Sequence, residues 1–262
     1  MSHKLLPQLK SIINFAYNNP YCDFYRKKFD ATGLDPRSIK TFEDFQKIPF
    51  ATKEELITKD PDELLFLPLD TKRMDLAYSS GSSGKGLSVI YRFYANQERV
   101  NHLKQTFNKC KRILLIAGVR QIIGQSLSIL KTNKMIVPAD MNNLEAAAIL
   151  AGKVKIDAIQ APPLILMDFA KQLKKYYDPK NIMVVSLLGG KSPTSLEKNV
   201  LGKLYPSAVV LPFYGMSENG LGHLGTKCKH LLENPDYLKV YHPFPNCFFE
   251  ICDGEIIFTH LK

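Results

Sequence analysis

No purely apolar run in this chain approaches the roughly 20 residues that a membrane-crossing helix needs, so no segment reads as a transmembrane span. The opening stretch, MSHKLLPQLKSIINFAY, is interrupted by Pro7 and Lys10 and lacks a convincing cleavage site, which argues against a signal peptide. The cysteines are Cys22, Cys110, Cys228, Cys247 and Cys252, an odd number with no C-x-x-C pair. That usage suits a reducing cytoplasm better than a disulfide framework. No recognised nucleic-acid-binding motif accompanies the net charge of +10. Repeats, low-complexity tracts and obvious linkers are absent as well.

What is present is enough for a full core. A chain of 262 residues fits one large or two small domains. Its 45% hydrophobic and 23% charged residues are ordinary for a soluble globular protein. The basic residues are scattered, as in Arg26-Lys27-Lys28, Lys109-Lys111-Arg112 and Lys171-Lys174-Lys175. They read as solvated faces, with attraction for phosphorylated ligands as a by-product.

The first 70 residues carry helix and turn signals only. Leu5 to Tyr17 has apolar positions at helical spacing and stops before Pro20, and a short helix starts over Phe24 to Phe29. Thr41 and Thr52 read as N-caps, each followed by first-turn acids; Thr52 with Glu55 makes a capping box. Beyond residue 87 strands and helices alternate. Strands are expected over Ser88 to Tyr91, Arg112 to Ala117, Lys134 to Val137, Ala158 to Gln160, Val184 to Leu188 and Ala208 to Leu211. Helices are expected over Ala95 to Asn108, Ile122 to Leu130, Leu144 to Lys153, Pro163 to Tyr177 and Ser195 to Leu204. This order implies an α/β fold with a mainly parallel sheet. The tail reads as β over Leu238 to Tyr241, Cys247 to Ile251 and Glu255 to Thr259, with Asp253-Gly254 as a hairpin turn.

Residues Tyr78 to Gly86 read YSSGSSGKG. Glycines permit positive φ and close backbone approach, and serine hydroxyls with backbone N–H groups are donors for an anion, so a phosphate cradle is favoured over a flexible linker. Its spacing excludes two common cradles. A Walker A loop needs four residues before its Gly-Lys pair and a Ser or Thr after it; Gly81 and Gly84 are separated only by Ser82 and Ser83, and Gly86 follows Lys85. The order G-S-S-G-K-G is also not the dinucleotide fingerprint G-x-G-x-x-G.

Two further segments follow expected strands. Val184 to Leu188 runs into Gly189-Gly190-Lys191, and Ala208 to Leu211 into Pro212-Phe213-Tyr214-Gly215-Met216-Ser217-Glu218. Ligands of open α/β sheets bind outside the carboxyl ends of the strands. There a tyrosine face can stack on adenine, a hydroxyl can hold a phosphate and a carboxylate can hold Mg²⁺ among phosphate oxygens.

Ser79, Ser80, Gly81, Ser82, Ser83, Gly84 and Lys85 match S-S/G-G-T/S-T/S-G-K-P, the phosphate motif of AMP-forming acyl-adenylating enzymes, with Gly86 in place of the proline. Leu87 stands where many members have lysine, a departure shared by phenylacetate-CoA ligase-like members. Tyr214 to Glu218 matches the second hallmark, Y-G-x-T/S-E, although Pro212 stands where close relatives often have an acid. The segments NNPYCDFYRKKF, TGLDP, FEDFQKIPFATKEEL and DGEIIFTHLK also resemble phenylacetate-CoA ligases and capsule-locus ligases. The likeness spans nearly the whole chain but only the front portion of the family.

The resemblance implies layered α/β sheets of a large AMP-binding domain over residues 1–262, with a helical segment over 1–75 and a β-rich tail over 237–262. It implies ATP, Mg²⁺ and CoA as cofactors and a small carboxylic acid as substrate, activated as an acyl-adenylate and passed to a thiol. By the same resemblance Ser79 to Lys85 bind phosphates. Gly189, Gly190, Lys191, Phe213, Tyr214, Gly215 and Met216 bind the nucleotide. Ser217 and Glu218 are catalytic, Glu218 through Mg²⁺. Family members continue into an R-x-R-x-G-D segment and a C-terminal lid with a catalytic lysine. Neither is found in these 262 residues, so a lid or partner subunit is expected for full turnover, and a homodimer is left open. The acid pocket is expected near Ala117 to Leu127 and Gly189; its Arg120 and lack of aromatic residues disfavour phenylacetate itself. A nucleotide-binding pseudoenzyme and an acyl-protein synthetase remain alternatives. His223, Cys228, His230, His242 and Cys247 offer Zn²⁺ ligand types, but their irregular spacing favours ordinary thiols and surface histidines.

Overall fold

The structure is a computed structural model. It describes residues 5–78, 89–93, 97–118, 122, 129, 131–188, 195–215, 225–227, 230–231, 241–243 and 247–261. Two compact units emerge: one combines Met1–Arg92, Ser217–Gly220 and Pro243–Lys262, the other Phe93–Met216 and Leu221–His242.

The first unit begins with α1 (Leu6–Tyr17), α2 (Phe24–Thr32), α3 (Phe42–Phe45) and α4 (Lys53–Ile57). Gly33, at φ +66°, ends α2 in the left-handed conformation that only glycine adopts cheaply. Both expected threonine caps form. The Thr41 hydroxyl accepts from the Asp44 N–H at 3.2 Å while the Asp44 carboxylate accepts from the Thr41 N–H at 3.1 Å. Thr52 and Glu55 repeat the exchange at 3.3 and 2.8 Å. These reciprocal bonds let helices of four and five residues persist, which propensity alone would not. The strands β1 (Met74–Tyr78) and β2 (Val89–Phe93) pair as a two-stranded sheet.

The second unit contains α5 (Gln97–Thr106), β3 (Arg112–Ala117), β4 (Met135–Asp140), α6 (Leu144–Val154), β5 (Ala158–Ala161), α7 (Pro163–Leu173), β6 (Val184–Leu187), α8 (Ser195–Leu204) and β7 (Val209–Leu211). The five strands form one parallel sheet in the order β4-β3-β5-β6-β7. The expected α/β class with a parallel sheet is therefore what the chain builds. One face, carrying Leu114, Ile116, Ile159, Val185 and Leu187, packs with Ala147, Ala148 and Ala151 of α6, Leu166, Phe169 and Leu173 of α7, and Leu201 and Tyr205. The opposite face packs Ile113 and Ala158 against Leu103 and Phe107. Burial on both faces explains why these strands read as near-continuous apolar runs rather than alternating ones.

Polar groups fix the register. The Asp157 carboxylate accepts from the Lys111 and Arg112 N–H groups at 2.7 and 2.9 Å, tying the entry of β5 to that of β3. The Tyr205 hydroxyl, buried, donates to the Leu166 carbonyl at 2.8 Å and joins the end of α8 to α7. At Gly152 a Cβ would lie 2.6 Å from the Tyr176 carbonyl oxygen, so α6 approaches the chain beyond α7 as closely as a glycine allows.

Back in the first unit, β8 (Gly225–Thr226) and β9 (His242–Pro243) aside, the last strands are β10 (Cys247–Cys252) and β11 (Glu255–His260). They form the expected antiparallel hairpin, with Asp253 and Gly254 at φ 51° and 81° in the turn. Phe248 of β10 lies 5.9 and 5.7 Å from the Phe42 and Phe45 rings, in the core with Leu9, Ile13, Phe29 and Ile39. The tail is thus part of the helical unit's own core. The expected helix over Ile122 to Leu130 and strand over Leu238 to Tyr241 lie mostly outside the described residues.

Candidate functional site

The sheet reverses its winding at β3, which has β4 on one side and β5 on the other. Such a switch point opens a crevice at the carboxyl ends of the strands, where ligands of open α/β sheets bind. β6 and β7 are neighbours, with Ser186 paired to Leu211. The chain therefore leaves towards its Gly189-Gly190-Lys191 and Phe213 to Glu218 segments from two adjacent carboxyl ends.

Of the expected site residues, Phe213, Tyr214 and Gly215 are described, immediately beyond β7. Ser79, Ser80, Gly81, Ser82, Ser83, Gly84, Lys85, Gly189, Gly190, Lys191, Met216, Ser217 and Glu218 lie outside the described residues. Pro212 is buried, Phe213 and Tyr214 are half-buried and Gly215 is exposed.

Tyr214 is held by its backbone and its ring. Its N–H donates to the Gly225 carbonyl at 3.1 Å and its carbonyl accepts from the Gly225 N–H at 3.0 Å. A Cβ at Gly225 would stand 3.0 Å from the Tyr241 Cβ and 3.2 Å from the His242 carbonyl oxygen, so a side chain here would make its neighbours give by a few tenths of an ångström. The Tyr214 and Tyr241 ring centroids are 5.9 Å apart at 43°, and the Lys227 ammonium lies 4.5 Å from the Tyr241 centroid. Lys227 is buried. Burial, and then the neighbouring Lys198 charge, pull its pKa below the usual lysine value. Phe213 is held differently: the His102 ring of α5 meets it edge-on at 4.7 Å and 88°. Burial holds His102 neutral, its pKa depressed to about 4.

Tyr241, Lys227 and His102 are the supports that sequence reasoning missed. Tyr241 was expected only as a strand residue, and nothing in its spacing from Tyr214 marks a contact that the fold alone creates. Among the proposed zinc-type residues, His223 and Cys228 lie outside the described residues, Cys247 is buried, and His230 and His242 are exposed. Among the described residues no group of three or more His, Cys, Asp or Glu side chains is placed to hold a metal ion. Nor is any described helix long and apolar enough to cross a membrane.

No family model matches the chain. Among curated proteins it is similar to phenylacetate-coenzyme A ligases. It is 33% identical over 84 residues to that of Escherichia coli and 32% identical over 113 residues to that of Thermus thermophilus. Those stretches cover 32% and 43% of this chain but only 18% and 23% of the two relatives. Among solved structures, an open conformation of 2-hydroxyisobutyryl-CoA ligase in complex with 2-HIB-AMP and CoA superposes with a TM-score of 0.77. The identity is 14%, and the match covers 98% of this chain and 60% of that ligase. That likeness is one of fold. Together, sequence and fold relate the chain, over part of the relatives' length, to the AMP-forming acyl-CoA ligase superfamily.

Proposed function

We propose that the chain forms the nucleotide- and acid-binding part of an AMP-forming acid–thiol ligase. The observation that carries this reading is Tyr214, pinned through its backbone at the carboxyl end of a switch-point sheet and backed by a second ring. A ring fixed in this way has already lost the freedom that stacking on adenine would otherwise cost. Phe213, Gly215 and Met216, with Gly189, Gly190 and Lys191, complete the nucleotide surface.

Ser79 to Lys85 cradle the phosphates through backbone N–H groups, hydroxyls and one ammonium. Ser217 contacts phosphate, and Glu218 supplies a carboxylate for Mg²⁺. One carboxylate beside phosphate oxygens is a donor set that suits Mg²⁺, which supplies charge neutralisation when bound. In the first step a carboxylate oxygen of the acid attacks the α-phosphorus of ATP. A P–O bond forms, the bond to the β-phosphate oxygen breaks and pyrophosphate leaves. In the second step a thiol, with CoA as the favoured acceptor, attacks the acyl carbonyl and AMP departs. No protein nucleophile is required, so the chain's work is positioning and charge stabilisation.

Tyr214→Ala is expected to weaken AMP binding about tenfold, as loss of one ring stacked on a base does, while Tyr214→Phe keeps it. Glu218→Ala should abolish the Mg²⁺ dependence of ATP binding. Isothermal titration reads both, and an unchanged AMP affinity in Tyr214→Ala overturns the assignment.

A further inference from the structure

The five strands of the second unit's sheet are parallel, so every connection that leads into a strand lies at one end of it, the amino end, away from Tyr214. Backbone bonds run unbroken along that edge. The Met135 N–H donates to the Lys111 carbonyl at 2.9 Å and the Asp157 N–H to the Arg112 carbonyl at 3.1 Å. The Met183 N–H donates to the Asp157 carbonyl at 2.8 Å and the Val209 N–H to the Met183 carbonyl at 2.9 Å. With strands about 4.8 Å apart, the edge is about 20 Å wide.

Basic runs that look scattered in the sequence meet here. The segments leading into the strands, 104–112, 131–134, 153–157, 171–183 and 203–209, contain twelve lysines and Arg112. Their only carboxylates are those of Asp157 and Asp178. Asp157 accepts from the Lys111 and Arg112 N–H groups, and Asp178 from that of Lys180. Thirteen cations against two carboxylates make this edge more positive than the whole chain, whose net charge is +10. Lys109, Lys111, Arg112, Lys153, Lys174 and Lys180 are among the exposed ones. Among the described residues only Lys171 of this group forms an ion pair, with Asp168 at 2.9 Å. Complementing helix dipoles accounts for a small part of the excess. Helices α5 to α8 end here with Lys104, Lys153, Lys171 and Lys203 in their last turns, and each helix end presents about half a negative charge.

Apolar side chains stand among these cations. Met135 and Val209 are more than half exposed, and Tyr176 and Met183 are exposed as well. Composition and shape together select the partner. Lysine outnumbers arginine twelve to one here, whereas protein interfaces and bidentate phosphate recognition favour arginine. The charge is spread along all five strand entries instead of being gathered in one groove, which fits an extended anionic plane. Exposed methionine and valine gain little from a soluble polyanion, but they can enter the headgroup layer of a bilayer. A basic face with apolar anchors is the pair of signals that peripheral attachment needs. We infer that the amino edge of the sheet docks on an anionic lipid surface, which leaves the carboxyl ends, where Tyr214 lies, turned away from it. No residue of the proposed nucleotide site takes part, so the inference stands independently of the ligase reading.

The test is flotation of the 262-residue chain over a titration of vesicles made of phosphatidylcholine alone or with about 30% phosphatidylglycerol. The chain should float with the anionic vesicles only and be released as salt rises from about 0.1 to about 0.5 M. The triple variant Lys174→Gln, Lys175→Gln and Lys180→Gln should bind about a hundredfold more weakly, at roughly fivefold per lysine. Met135→Gln with Val209→Thr should weaken binding about fivefold without changing the charge. A charge-matched control in the first unit, Arg26→Gln with Lys40→Gln and Lys47→Gln, should stay within about threefold of the wild type. Circular dichroism checks that each variant is folded. Absence of binding to anionic vesicles overturns the inference, as does full binding by the lysine variant. An equal loss in the control also overturns it, since net charge alone would then be acting. Tighter binding to polyglutamate or to a single-stranded oligonucleotide, unchanged in Met135→Gln with Val209→Thr, overturns it in favour of a soluble polyanion.

Discussion

Lowering the pH from 7 to 4 will remove about 3 kcal/mol of folding stability through one side chain, His102. Its imidazole on α5 is largely enclosed, edge-on to Phe213 and 3.4 Å from the Thr106 hydroxyl. Burial depresses its pKa from 6.5 to about 4. The unfolded chain therefore takes up a proton between these values that the folded chain refuses, and stability falls with pH across that window. The contribution is fully present above the unfolded value, and it stops changing below the folded one. Urea denaturation of the wild type and His102→Gln at pH 7, 5.5 and 4 reads the effect. The wild type should lose about 3 kcal/mol more than the variant over that range. Carboxylates such as Asp44, held at about 2 by N–H groups and Lys47, titrate in both proteins and cancel in the difference. Parallel stability profiles would show that His102 is not the group responsible. Because its ring also supports Phe213, the same acidification should loosen one wall of the proposed nucleotide surface.

Phe169→Ala should destabilise the fold by about 3–5 kcal/mol, a large share of the roughly 5–15 kcal/mol that holds a typical domain folded. Phe169 is fully buried on α7, inside the core that joins three helices to the sheet. The same core cluster contains Ala147, Ala148 and Ala151 of α6, whose side chains are too short to fill the cavity left behind. The comparison is Leu164→Ala on the same helix, which is 65% exposed and should stay within about 0.5 kcal/mol of the wild type. Equal losses at the two positions would contradict the packing described for this face.

The alternation of strands and helices after residue 87 was legible because a parallel sheet covered on both faces writes long apolar runs separated by turns. Arg112–Ala117 and Ser195–Leu204 occupy the spans expected of them. The misses have local causes. β4 continues through Pro138 to Asp140, although proline usually ends a strand. It lies at the edge of the sheet, where the absent N–H interrupts no central ladder. α7 ends at Leu173 rather than Tyr177 because the next N–H groups turn back three residues, Lys175 to Gln172 and Tyr176 to Leu173. The Tyr177 hydroxyl is meanwhile drawn to the Ile156 carbonyl at 2.9 Å. β1, over Met74–Tyr78, was not anticipated, since the sequence before it carries only helix and turn signals.

The site divides in the same way. Tyr214 stood out through its motif, and it follows shortly after the end of β7. Tyr241, Lys227 and His102 did not, because they meet Tyr214 and Phe213 only through tertiary packing.

The claim that this chain is the nucleotide-binding part of an acyl-adenylating ligase is tested most directly by titrating ATP into it with and without Mg²⁺, then displacing the ATP with AMP. The account predicts saturable binding that tightens with Mg²⁺, is competed by AMP and weakens about tenfold in Tyr214→Ala. Absence of saturable ATP binding, or binding that neither AMP nor Tyr214→Ala affects, would contradict it.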